Sequence, residues 1–229
     1  MIKKKFLLLF AIISITTINA QKSSVFLKGG LNLANVSYNA NGNIDDANTL
    51  TSFHAGIQGD ITIASFLSLQ PGLLLTGKGS KTQSGNTTDA NYYRATTNPL
   101  YIEVPVNLVF KAPLEKDTKF FAGAGPYIAM GVAGKRKAEG KIFGIAFSSD
   151  DKIDFSNDDP TTAGEEGAGF GILKRFDYGL NGTAGFEGKN VLFSVNYGLG
   201  LAKLQSGDNS STDNKNKHRV LSFTVGFRL

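Results

Sequence analysis

The sequence predicts an all-β protein: an eight-stranded antiparallel up-and-down transmembrane β-barrel preceded by a cleaved signal peptide. Three features point there. Eight segments alternate apolar and polar residues with period two, and the connections between them alternate short and long. After the first twenty residues, no stretch reaches the roughly 18 consecutive apolar residues that a helical span requires.

The 229-residue chain opens on a segment of a different kind. Lys3, Lys4 and Lys5 form a positive n-region. Phe6 to Ile15 form an apolar run broken only by Ser14, and Asn19-Ala20-Gln21 supplies a small residue at the junction. This is the layout of a secretory signal, and its apolar run is too short to cross a bilayer. Cleavage is expected after Ala20, although Ile18 departs from the small-x-small pattern. The expected organisation is residues 1–20 as signal peptide and 21–229 as one outer-membrane barrel domain. Losing three lysines lowers the formal net charge from +5 to +2, so the basic balance is in part a targeting feature and gives no support to nucleic-acid binding. There are no cysteines, so backbone pairing and packing must hold the fold without disulfides.

Successive side chains of a strand point to opposite faces, so each alternating segment separates into an apolar and a polar set. In 25–35, Val25, Leu27, Leu31 and Leu33 oppose Lys28 and Asn32. In 51–63, Phe53, Ile57, Ile61 and Ile63 oppose His54, Gln58 and Asp60. In 67–78, Leu67, Leu69, Leu73 and Leu75 oppose Ser68, Gln70, Thr76 and Lys78. In 100–111, Ile102, Val104, Val106, Leu108 and Phe110 oppose Tyr101, Glu103, Asn107 and Lys111. In 119–132, Phe120, Ile128 and Met130 oppose Gly123, Gly125 and Tyr127. In 175–187, Phe176, Tyr178, Leu180 and Phe186 oppose Arg175, Asp177, Asn181, Thr183 and Glu187. In 191–203, Val191, Phe193, Val195 and Leu199 oppose Ser194, Asn196 and Lys203. At the C-terminus, Leu221, Phe223, Val225, Phe227 and Leu229 oppose Ser222, Thr224 and Arg228, with Val220 as the exception.

An even count of such strands can close and leave no unpaired edge, which lipid would not tolerate. The short connections are 64–66, 112–118 and 188–190. The long ones are 37–50, 79–98, 133–174 and 204–217, rich in Asn, Asp, Ser, Thr and Gly. Barrels of the outer membrane have short periplasmic turns and long external loops, so both termini should be periplasmic and the four long loops are candidate contact surfaces. Lys141 to Phe147, inside the longest loop, is expected to extend the flanking strands or form a hairpin of its own.

Gly56-Ile57-Gln58-Gly59, Leu67 to Leu75, Tyr101-Ile102-Glu103-Val104-Pro105 and Gly123-Ala124-Gly125-Pro126-Tyr127 resemble the PorT-like outer-membrane β-barrel proteins of the Bacteroidetes. The signal segment ending in Asn-Ala-Gln is similar to those of the same group. The resemblance spans essentially the whole mature chain. It implies the barrel fold and the outer membrane of a Gram-negative bacterium, and little about activity.

The inward polar set comprises Lys28, His54, Asp60, Glu103, Lys111, Arg175, Asp177, Glu187 and Arg228. An eight-stranded barrel is just wide enough for side chains to fill it, and mixed signs suit a salt-bridged structural plug better than a polar pore. His54 and His218 raise the alternative of a lipid-modifying enzyme, in which a histidine activates a nucleophile. No catalytic residue, cofactor or metal site is assigned. Gly72 to Lys78 approaches a phosphate loop, but Gly79 stands where Ser or Thr should hold the metal and the segment alternates as a strand. Asp150, Asp151, Asp154, Asp158, Asp159, Glu165 and Glu166 fit no defined metal loop and read as a solvated acidic loop. The expected partners are outer-membrane lipid and a protein or surface partner at the external loops. The rival architecture is a soluble, lipocalin-like binding barrel, in which the aliphatic set would face inward.

Overall fold

The computed structural model describes residues 23–37, 48–115, 117–156, 172–204 and 216–229. The signal segment lies outside the described residues, as do Asp158, Asp159, Glu165 and Glu166. Among the described residues there are twelve strands: β1 (Ser24–Val36), β2 (Leu50–Ala64), β3 (Leu67–Gly77), β4 (Ser80–Ser84), β5 (Tyr92–Glu115), β6 (Thr118–Ile142), β7 (Ile145–Lys152), β8 (Asp154–Ser156), β9 (Ile172–Lys174), β10 (Phe176–Glu187), β11 (Val191–Gly200) and β12 (His218–Arg228).

Eight of them close a ring in the order β1-β2-β3-β5-β6-β10-β11-β12, each antiparallel to its neighbours. Pairing of β12 with β1 completes it, with Leu27 opposite Phe227 and Leu31 opposite Phe223. This is the up-and-down barrel that the alternation predicts.

The alternation also settles which face is outside. Leu31, Ile57, Leu73, Val104, Val195 and Phe223 are exposed on the outer wall, while Asn32, Gln58, Asp60, Gln70, Thr183 and Thr224 are buried within. A soluble protein would reverse this arrangement, so the lipocalin-like alternative does not hold. At the short-turn end the outer wall carries a phenylalanine girdle. The rings of Phe66 and Phe110 stack at 6.3 Å, those of Phe120 and Phe186 meet edge-on at 5.6 Å, and Phe193 pairs across from Phe186. Aromatic girdles of this kind mark the bilayer interface.

The strands outside the ring occupy parts of the sequence expected to be loop. Strands β5 and β6 have 24 and 25 residues, whereas about 10 tilted residues cross the hydrocarbon. Their excess rises from the long-loop end. There β4 pairs with β5, and β7 pairs with β6, forming a four-stranded sheet, β4-β5-β6-β7, that continues the barrel wall. Much of 79–98 and 133–156 is therefore ordered β-structure. The β6–β7 hairpin turns at Phe143 and Gly144, with φ of 50° and 81°. Two consecutive left-handed residues give the tight turn whose twist matches the strands. Residues 141–147 thus both extend a strand and form a hairpin.

Candidate functional site

The lumen is where the chain concentrates its buried charge, and it is filled in tiers. Near the short-turn end, Lys111 of β5 pairs with Asp60 of β2 and, at 2.5 Å, with Glu187 of β10. Arg228 of β12 reaches the other oxygen of Glu187 and lies 4.9 Å from the Phe26 ring centre. Amides extend this ladder. Lys28 donates to Gln58 Oε1 at 2.6 Å, Gln58 donates to Gln70 at 2.6 Å, and Gln70 donates to Asp60 at 3.5 Å. One connected chain of contacts therefore links β1, β2, β3, β5, β10 and β12.

The middle tier is neutral. His54 Nδ1–H donates to Asn32 Oδ1 at 2.7 Å, and the Thr224 hydroxyl donates to His54 Nε2 at 2.9 Å. These partners assign the Nδ1–H tautomer, because the Asn32 amide nitrogen is already committed to Thr76 Oγ1 and the Gly77 carbonyl. Asn196 then donates to Thr224 Oγ1 at 2.8 Å and accepts from Thr183 at 2.7 Å.

The upper tier is built around Lys78, in the break between β3 and β4. Its ammonium lies 2.6 Å from Glu103 and 2.8 Å from Asp177, with the Tyr127 ring centre at 3.9 Å. The Tyr127 hydroxyl donates to Asp177 at 3.0 Å. Buried Tyr101 stands beside this group, with the His218 ring edge-on at 5.4 Å and Phe155 edge-on at 5.7 Å. Phe155 belongs to β8, which pairs in parallel with β9 across the mouth. Ile153, Leu173 and Leu204 form an apolar cluster there, with Phe155 and Val36 packed against it. The middle of the lumen keeps a cavity of about 60 Å³, lined by His54, Lys78, Glu103 and Asn107 among others. A second space of about 290 Å³ lies at the mouth, between the lid and the base of the external sheet.

A wall with an apolar exterior, a polar interior and no open edge in its ring is built for lipid. The profile of the outer membrane protein beta-barrel domain matches residues 19–206. The chain belongs to this family. It is an outer-membrane β-barrel protein of a Gram-negative bacterium. Among solved structures, this outer-membrane barrel is similar to the attachment invasion locus protein Ail of Yersinia pestis in complex with the heparin analogue sucrose octasulfate. The TM-score is 0.41 at 14% identity, covering 91% of this chain and 100% of that one. It is also similar to Neisserial surface protein A, with a TM-score of 0.39 at 12% identity, covering 91% of this chain and 99% of the other. No curated protein matches the chain.

Of the barrel's inward polar residues named from sequence, Lys28, His54, Asp60, Glu103, Lys111, Asp177 and Glu187 are buried in the lumen, and Arg228 is half-buried at its rim. Arg175 is a correction. It is exposed, at the bend between β9 and β10, and its guanidinium donates to the Phe155 carbonyl at 3.0 Å. The barrel strand begins only at Phe176, so the alternation that would point Arg175 inward does not reach it. Lys78 is the residue sequence reasoning left out of the site. Its inward register is legible in the alternating polar set of 67–78, but the inward charges named from sequence do not include it. Tyr101, Tyr127, Gln58 and Gln70 likewise carry much of the network, and their signal was their place in the polar set.

Proposed function

We propose that this protein is a closed, non-conducting barrel with a structural or interaction role, which carries its four-stranded sheet and the connections 37–50, 79–98, 133–174 and 204–217 as external contact surfaces. The observation that supports this most is the filled lumen: two ion-pair tiers, a hydrogen-bonded middle and an apolar lid occupy the bore. Lys28, His54, Asp60, Glu103, Lys111, Asp177, Glu187 and Arg228 then act as a stabilising plug rather than as an ion path. The enzymatic alternative has less behind it. His54 and His218 are both enclosed, at different heights, and neither reaches a lipid on the outer wall. Residues 1–20 act in this reading as the export signal of a single-domain chain. The segments around Gly56, Leu67, Tyr101 and Gly123 favour the PorT-like group within the family.

Two measurements test the proposal. The mature chain reconstituted in planar bilayers should give no stepwise conductance; reproducible unitary steps would refute the closed lumen. Gly144→Cys in the otherwise cysteine-free chain should react with a membrane-impermeant maleimide on intact cells. Labelling only after the outer membrane is permeabilised would put the sheet in the periplasm and reverse the orientation.

A further inference from the structure

The external sheet has two unlike faces. Tyr93 stacks on Phe147 and accepts a hydrogen bond from Arg136, so these three share the face turned toward the mouth, where Tyr93 and Arg136 line the larger cavity. On β5 the parity that turns Val104 and Ile102 to lipid carries up to exposed Arg94, with Ala95 and Pro99 buried on the other side, so the opposite face is an upward continuation of the lipid-facing wall. Cross-strand register puts Lys135, Lys137, Glu139 and Lys141 of β6 on that face. It adds Asp150 and Lys152 of β7, opposite Lys137 and Lys135.

The charge on this face is unbalanced. Arg94 pairs with Glu139 at 3.5 Å, and Lys137 with Asp150 at 3.6 Å, both in the open. Lys135 and Lys152 stand directly opposite one another on adjacent strands, and no carboxylate among the described residues pairs with either. Like charges directly opposite in a sheet repel across about 5 Å, a cost that an anion between them would remove. The height matters too. Lys135 is two residues beyond Ala133, the last exposed aliphatic side chain of β6 before the charged stretch, about 7 Å along the strand. That is the level at which a lipid's headgroup begins above its hydrocarbon.

We propose that this outward face of the external sheet, centred on Lys135, Lys137 and Lys152, binds the phosphorylated headgroups of the outer leaflet. The occupant is a lipid surface because the cationic face is continuous with the apolar wall that lipid already covers, and its charge complements phosphate. A phosphate between Lys135 and Lys152 neutralises the opposed pair, while the acyl chains of the same molecule lie along the wall below. This rests on the reading that the sheet stands outside the cell, and the test is chosen to be independent of it.

The protein is folded into phosphatidylcholine nanodiscs with a few fluorescent molecules of lipid A, a bisphosphorylated glycolipid, or of its dephosphorylated form. Energy transfer is read to a dye on Ser148→Cys. Both leaflets carry the same lipid, so orientation does not affect the readout, whereas maleimide labelling of Gly144→Cys reports orientation alone. Each lysine near an anionic surface contributes about fivefold in affinity. With two opposed lysines, lipid A should therefore be enriched about 25-fold over its dephosphorylated form at low salt. The preference should fall toward parity in Lys135→Ala/Lys152→Ala and with added salt, while heat-modifiable gel migration shows the variant folded. Equal transfer from the two lipids, or a preference unchanged in the folded double variant, would overturn the proposal. Soluble polyphosphate binding as tightly as lipid A in phosphatidylcholine discs would overturn the assignment to a lipid surface.

Discussion

Lys78 and Asp177 meet at 2.8 Å across the bore of the barrel, although 99 residues separate them in the chain. Glu103 closes the same ammonium from a third strand at 2.6 Å. All three are buried, and this cluster joins the β3–β4 break to β5 and β10.

Removing the cation from this cluster should cost far more than a surface substitution. Lys78→Met leaves two buried carboxylates side by side, and breaking a buried pair in this way costs about 3–5 kcal/mol. The triple change Lys78→Met, Glu103→Gln and Asp177→Asn leaves no charge in this cluster and should recover much of that loss. Urea unfolding of the barrel in vesicles, followed by gel migration, measures both. Equal stability of Lys78→Met and the native chain would show that the cluster contributes nothing.

The outer wall should be graded by depth. Leu31 lies between Phe53 and Phe223 well inside the apolar band, whereas Val25 lies near the short-turn end beside Gly59. An arginine costs about 2–4 kcal/mol at mid-bilayer and about 0–1 near the interface. Leu31→Arg should therefore lower folding stability in vesicles severely and Val25→Arg little. Equal losses would contradict the assigned position of the membrane.

Gly30 makes a separate point. A Cβ there would come within 1.9 Å of the Phe223 carbonyl oxygen and 2.8 Å of the His54 ring. Backbone cannot yield as a flexible side chain can, so Gly30→Ala should disturb the β1–β12 seam and the His54 hydrogen bonds together. Gly182→Ala, whose Cβ would meet nothing within 4 Å, is the control. Urea midpoints should fall for the first and stay near the native value for the second.

The wall of this barrel was legible in the sequence because its signal is local. A residue such as Leu73 or Gln70 declares its face by the parity of its position, and lipid outside demands that parity on every strand. The parts that were not legible depend on contacts no period encodes. Arg175 lost its expected place because the strand starts one residue later. The β4–β7 sheet arose where polar, Gly-containing sequence reads as loop. Its strands form because β5 and β6 already lie side by side below, so pairing simply continues upward. The partners of Lys78 come from distant strands, and sequence spacing says nothing about which carboxylates share a height in the bore.

The pairing of β1 with β12 has a consequence for timing. Every other junction in the ring joins strands consecutive among the eight, and each such hairpin can zip as soon as its two arms exist. The seam that sets Leu27 against Phe227 must wait until β12 is delivered, and it closes the longest loop in the molecule. Until then both flanks of the growing sheet present unpaired amides that hydrocarbon cannot satisfy. The clasp between the first and last strands therefore acts as a completion check. A nascent chain that stalls before β12 stays open, vulnerable and unable to rest in the bilayer, whereas a finished one locks in a single late step.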